Sequence, residues 1–291
     1  MAEARSLKAA LRSGRVVTGF QQFLASPDLT ELVARAGFDF VVLCTEHGTF
    51  GYGSELAHAI RAASLGGAVP LVRVPGVEPV FIHRALELGA KGVVVPRVRG
   101  ANEVRQAVAA VKFPPEGERG ICPASRAFDY RPADPLRFVS HANEETVVIV
   151  LIEQPEAVAA IDEIVAVPGV DAVWFGSGDL SAAMGLRERL LAGDEEARAA
   201  VEALRQRVLA AARRAGVPVA QSPYQAREAA RLYADGVRVF ITKPDAWWLG
   251  DVFTEYLATV RDAVKSPQQD QALTFGTMGP AGASPLPPAG R

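Results

Sequence analysis

The sequence predicts an α/β protein folded as a (β/α)8 barrel, on three observations. Short apolar, β-like runs alternate with helix-period segments along almost the whole chain, and the count of such pairs reaches eight in about 250 residues. Glycine signatures recur where helices should end and feed the next strand: Ala-Gly-Phe at 36–38, Leu-Gly-Ala at 88–90 and Ala-Gly-Val at 215–217. No Gly-x-Gly-x-x-Gly fingerprint follows any strand, which sets the barrel above its alternative, a doubly wound open sheet.

Taken in order, MAEARSLKAALRSG opens the chain as a charged amphipathic helix without a signal-peptide core. The predicted strands are 16–21, 39–44, 69–74, 92–95, 147–153, 172–175, 218–221 and 237–242, each a short apolar, β-like run. Helical periodicity fills the gaps at 29–36, 54–64, 79–88, 102–111, 156–165, 195–215, 225–233 and 247–264. Two segments break the alternation. Residues 112–146, which include GERGICPASRAFDY, form a long Pro- and Arg-rich insert after the fourth strand, a length that usually carries function or an oligomer contact. Residues 266–291 lack periodicity, are rich in Pro, Gly and Ala, and read as a disordered tail, which leaves 1–265 for the barrel.

Composition narrows the function. A net charge of −2 without a dense basic tract argues against nucleic acid as a partner. Neither Cys44 nor Cys122 has an obvious partner in spacing, which suits a reducing cytoplasm, and no run approaches the roughly 20 apolar residues of a membrane span.

The most informative stretch is DAVWFGSGDLSAAMG at 171–185. Its apolar run ends in Gly176-Ser177-Gly178 and then Asp179, the carboxyl-end position where barrels build their sites. The strand before it, VVIVLIE, likewise ends in an acid, Glu153. Two carboxylates on successive parallel strands can lie side by side and then need a cation between them. The competing reading makes Asp179 the N-cap of a helix starting at Leu180. His47, in Cys44-Thr45-Glu46-His47-Gly48 after the second strand, is either a general acid/base or a hydrogen-bonded structural residue. His58, His83 and His141 read as structural. Arg73, inside the apolar strand PLVRVP, needs an anion: a structural pair with Glu46 or Glu153, or a substrate oxygen. Backbone amides at Gly176, Ser177 and Gly178 are suited to a substrate carboxylate.

TEHG at 45–48, LVRVP at 71–75, VLIE at 150–153 and GxxDLSxxMG at 176–185 resemble, in order and spacing, the motifs of the HpcH/HpaI aldolase family of metal-dependent, pyruvate-forming class II aldolases. That family includes 4-hydroxy-2-oxoheptanedioate aldolase and 2-keto-3-deoxy-L-rhamnonate aldolase. The resemblance implies that Glu153 and Asp179 ligate a divalent metal, Mg2+ or Mn2+ with Co2+ a further option. It also implies that His47 is the acid/base, that Arg73 stabilises the pyruvate enolate, and that amides around residues 177–179 cradle the substrate carboxylate. The implied reaction is reversible aldol cleavage of a 4-hydroxy-2-oxo acid to pyruvate and an aldehyde, in a cytoplasmic homo-oligomer, commonly a hexamer with an exchanged C-terminal helix. A biosynthetic relative would use the same enolate for citrate-forming condensation or for oxaloacetate decarboxylation. Three departures stand out: Cys44 where the family usually has an Asp that orients the histidine, Gly-Ser-Gly where it has Gly-Pro, and Thr242-Lys243-Pro244-Asp245 followed by Trp247-Trp248 at the eighth strand. The departures keep two rivals in view, a metal-free Schiff-base aldolase using Lys243 and a catalytically silent ligand-binding barrel.

Overall fold

The protein is described by a computed structural model over residues 6–265. The tail expected at 266–291 lies outside the described residues.

Eight parallel strands close into a barrel in sequence order. They are β1 (Val17–Gln22), β2 (Phe40–Cys44), β3 (Val69–Arg73), β4 (Gly92–Val95), β5 (Val147–Ile152), β6 (Ala172–Phe175), β7 (Val219–Gln221) and β8 (Val239–Ile241). β8 returns to pair with β1 through Val17–Val239 and Gly19–Ile241. All eight predicted strands exist, with ends no more than two residues from those expected. A strand covered on both faces must be apolar throughout, and β5 is buried at every position. Its alternate residues serve two cores. Val147, Ile149 and Leu151 pack with Phe40, Leu71 and Trp174. Val148, Val150 and Ile152 pack against the surrounding helices. Gly19 has a specific reason to be glycine: a Cβ there would sit 2.2 Å from the Phe40 ring.

The first half of the helical layer is α1 (Leu7–Arg12), α2 (Pro27–Arg35), α3 (Ser54–Gly66), α4 (Pro79–Glu87) and α5 (Ala101–Val111). α1 joins the inner core through Leu7, Ala10 and Leu11. Its Lys8 Nζ reaches Asp171 at 3.0 Å and the carbonyl of Thr146 at 3.0 Å. Those two residues immediately precede β6 and β5, so α1 closes the amino-terminal end of the barrel.

The insert after β4 is folded. It holds a 3-10 turn (Arg126–Phe128) and α6 (Pro135–Glu145). A small core of Phe113, Ala127 and Phe128, backed by Phe138, gives it an interior of its own. Asn143 stitches the two ends of the insert, accepting from Phe113 N at 2.8 Å and donating to Phe113 O at 3.0 Å.

The helices that follow are α7 (Pro155–Ala159), α8 (Ile161–Val165), α9 (Ser177–Ala183), α10 (Arg187–Leu191), α11 (Glu195–Ala215), α12 (Ala226–Ala234) and α13 (Asp245–Lys265). The single helix expected at 156–165 is thus two, broken at Ala160, and α10 has no counterpart in the sequence reading. The barrel unit extends to Trp248, and the remainder of α13 belongs to a second compact unit beginning at Leu249. Among the described residues no helix is long and apolar enough to cross a membrane.

Candidate active site

Every candidate catalytic, metal-ligating or substrate-binding residue except Lys243 falls at the carboxyl ends of strands β2, β3, β5 and β6, on the face where a barrel's loops converge. Arg73 is the last residue of β3 and is 5% exposed. A guanidinium so placed must be compensated, and it is, twice. Its Nε lies 2.6 Å from Glu46 Oε2, and its Nη2 lies 3.7 Å from Glu153 Oε2. The Glu46 contact is a close charge pair without directed hydrogen-bond geometry, because Glu46 Oε1 and Oε2 and Arg73 Nε all lack a hydrogen-bond partner.

Glu153 follows β5 directly and is 1% exposed. Burial raises its carboxyl to about 7, with Asp179 and Glu46 adding to the rise against the opposing effects of Arg73 and the Arg97 amide. The Arg97 N–H donates to Glu153 Oε1 at 2.8 Å. That residue has φ 57°, a left-handed conformation few non-glycine residues adopt, so the turn after β4 is held in a strained shape that aims one amide at the carboxylate. Glu46 is also raised, first by burial, with Arg73, His47 and Arg97 pulling the other way.

Gly176 is required on steric grounds, since a Cβ there would come within 2.9 Å of Glu153 Cβ. α9 then starts at Ser177 with Gly176 at the N-cap and no side-chain cap bond. Asp179 therefore sits inside the first helical turn and is exposed; the reading of Asp179 as N-cap of a helix from Leu180 is corrected. Ser177 and Gly178 occupy the same first turn, where helical amides lack internal partners.

His47 has a half-exposed ring whose Nε2 lies 3.5 Å from Glu46 Oε1. Cys44, fully buried, receives the backbone N–H of His47 on its Sγ at 3.4 Å. The residue at the family's aspartate position therefore addresses the peptide of His47, and the carboxylate beside the imidazole is Glu46. Lys243 is stacked over Trp248, with Nζ 4.9 Å from the ring centroid.

Two carboxylates, Glu46 and Glu153, thus bear on one guanidinium, and the charge of Asp179 is felt by both of them. A buried carboxyl raised by neighbouring acids, as Glu153 is by Asp179 and Glu46, is the environment a hard divalent cation satisfies. Among the described residues no three His, Cys, Asp or Glu side chains converge as a ready ligand set. The two acids at 153 and 179 fit such an ion provided that oxygens from substrate and water complete the shell. A cavity of about 690 Å3 adjoins through Ser177 and Gly178 and continues to Arg187 and Tyr224. Arg73, His47 and Glu153 do not line it, so it borders the charge cluster instead of containing it.

Sequence reasoning gave Glu46 only a structural part and missed Arg97. Glu46 was legible as the acid next to His47, whereas nothing in Pro96-Arg97 announces a left-handed turn.

The sequence profile of HpcH/HpaI aldolase/citrate lyase matches residues 19–242, from β1 to the turn after β8. The chain belongs to the HpcH/HpaI aldolase/citrate lyase family. It is 41% identical over 161 residues to 2-dehydro-3,6-dideoxy-6-sulfogluconate aldolase of Pseudomonas putida, covering 55% of this chain and 62% of that protein. It is 38% identical over 178 residues to hydroxypyruvate/pyruvate aldolase of Sagittula stellata, covering 61% of this chain and 69% of the other. Among solved structures, the citrate synthase SbnG superposes with a TM-score of 0.78 at 31% identity, over 89% of this chain and 99% of that one. The HpcH/HpaI match thus spans all eight strands and every residue of the charge cluster.

Proposed function

We propose that this HpcH/HpaI family member is a divalent-metal-dependent carbon–carbon lyase that reversibly cleaves a 4-hydroxy-2-oxo acid to pyruvate and an aldehyde. The observation that carries the reading is the buried Arg73 at the end of β3, flanked by Glu46 at 2.6 Å and Glu153 at 3.7 Å, with the charge of Asp179 acting on Glu153. In this reading Glu153 and Asp179 hold Mg2+, Mn2+ or Co2+, which supplies Lewis-acid polarisation of the 2-oxo group. The first-turn amides of Ser177 and Gly178 bind the substrate carboxylate. Arg73 directs its guanidinium at the oxygen that gains charge when the C3–C4 bond breaks. The imidazole of His47 takes the C4 hydroxyl proton, the C4 carbon leaves as the aldehyde, and the electron pair of the broken bond becomes the enolate of pyruvate. Protonation at C3 then completes pyruvate. Glu46 keeps Arg73 and His47 facing the same point.

A second reading, supported by the likeness to a citrate synthase structure, uses the same enolate for condensation, or forms it by decarboxylating oxaloacetate. The residues of α13 beyond Leu249 favour a homo-oligomer in either case, because Val252, Phe253, Tyr256 and Leu257 are exposed apolar side chains. The deciding experiment follows the methyl protons of pyruvate by NMR in D2O, which needs no knowledge of the aldehyde. Exchange that stops with chelator and returns with Mg2+ or Mn2+ is expected. Exchange that survives chelation and is trapped by borohydride would return the chemistry to Lys243. No exchange under any condition would leave a silent barrel.

A further inference from the structure

A second concavity of about 400 Å3 lies on the outer wall of the barrel, between α3, α4 and the folded insert. Arg61 comes from α3, Arg84 from α4, and Arg126 and Tyr130 from the insert. None of the residues of the barrel-mouth cluster lines it. The one carboxylate among its described lining residues, Glu87, is engaged by Arg119 Nη2 at 2.9 Å. Among the described residues, none of the three arginines has a carboxylate within ion-pair distance. Three guanidiniums therefore share a small cavity whose one carboxylate, Glu87, is already paired with Arg119, whereas protein surfaces ordinarily intersperse charges of both signs.

The arginines are held in place by neutral groups. Arg84 Nε donates to the carbonyl of Tyr52 at 3.4 Å, and Arg61 Nη1 lies 3.4 Å from His58 Nδ1. Arg126 packs against the backbone of Gly89, where a Cβ would come within 2.7 Å of its Nε, and that Nε has no hydrogen-bond partner. Tyr130 lines the same cavity as Arg61 and Arg126, and their positive charges draw its phenol below the ordinary range. Asp129 and Tyr130 are consecutive non-glycine residues at φ 49° and 65°. Such strain persists only where the surroundings impose it, and here it sets Tyr130 in the cavity wall with the arginines.

We infer that this cavity is a binding site for a compact multivalent oxyanion, a phosphoryl group or a small dicarboxylate, gripped by Arg61, Arg84 and Arg126. Guanidinium forks match the paired oxygens of either group, and the anion supplies the charge the cavity lacks.

The test is titration calorimetry of the full chain with inorganic phosphate and, separately, malonate, on wild type, Arg61→Gln, Arg126→Gln and Arg73→Gln. Saturable binding is expected in wild type and Arg73→Gln. Affinity should fall by about tenfold or more in both Arg61→Gln and Arg126→Gln, since each removes one charge-assisted contact. The tighter of the two probes identifies the phosphoryl or the dicarboxylate source. If Arg126→Gln fails to fold, Arg84→Gln, an exposed position on α4, takes its place. Absence of saturable binding up to about 10 mM overturns the site, as does binding that Arg73→Gln abolishes and the outer-wall variants leave intact.

Discussion

At the scale of single residues, the decisive feature is one buried guanidinium between two carboxylates. Arg73→Lys keeps the charge but replaces a planar fork by a point charge, so it cannot face Glu46, Glu153 and a substrate oxygen together. Turnover in that variant should fall by about 10² or more, with a smaller change in KM, as for loss of a contact made chiefly in the transition state. Wild-type turnover in Arg73→Lys would make Arg73 a structural pair. Glu153→Gln and Asp179→Asn each remove one anionic oxygen donor from a two-acid site. Calorimetry should record a loss of Mn2+ affinity of about tenfold or more in each, with an unchanged circular dichroism spectrum. Equal affinity in both variants would retire the metal assignment. The residue types were readable in the sequence because an arginine in an apolar strand and acids at strand ends conflict with burial unless something resolves them. The partner of His47 was not readable. A family aspartate at position 44 suggests an imidazole partner there, but the Cys44 thiol turns to the peptide N–H and leaves Glu46 beside the ring.

Among the elements, strands were the more legible because burial on both faces forces continuous apolar runs, and β4 and β6 have the predicted boundaries. Helices that end by geometry were harder. The 156–165 segment divides at Ala160 without a glycine or proline there, and the insert hides α6 because its core is made with its own distant aromatics. That insert also contributes a buried cation, Lys112, which bonds the carbonyl of Asn143. Burial, with the neighbouring Lys8 charge, pulls the Lys112 ammonium down to about 8. Its unfolded value is near 10.4, so between about pH 8 and 10.4 the unfolded chain binds more protons than the native one. This group's contribution to stability therefore rises with pH across that window and is level below it. Thermal unfolding compared between wild type and Lys112→Met should show the wild type gaining on the variant from pH 8 to 10. A constant difference would mean that Lys112 titrates normally in the native state. Gly176 gives a steric counterpart at the mouth. Gly176→Ala sets a methyl 2.9 Å from Glu153 Cβ, and the displaced carboxylate should lose Mn2+ affinity while far-UV dichroism stays unchanged.

For the whole molecule, the question is what covers the apolar residues of α13. The helix beyond Leu249 carries Val252, Phe253, Tyr256, Leu257, Val260 and Val264, spaced so that they share one side of a helix, and all are exposed in the single chain. An apolar stripe of this length facing water favours association, and a second copy of the chain is the occupant every solution of the protein contains. The sequence alone supplied the periodicity of this segment but not its exposure, because an amphipathic pattern reads the same whether the apolar side meets the chain's own barrel or another molecule. Phe253→Asp with Leu257→Asp places two charges in the middle of the stripe. If the helix joins copies, sedimentation should record an oligomer for wild type and a smaller species for the double variant, because each unpaired carboxylate would have to be desolvated in the contact. The fold of the barrel should be unaffected, since both residues lie in the second compact unit. Binding of Mn2+ gives an independent check on the same variant: retained affinity with lost assembly assigns α13 to association alone. An unchanged sedimentation coefficient would mean that this helix does not hold the copies together.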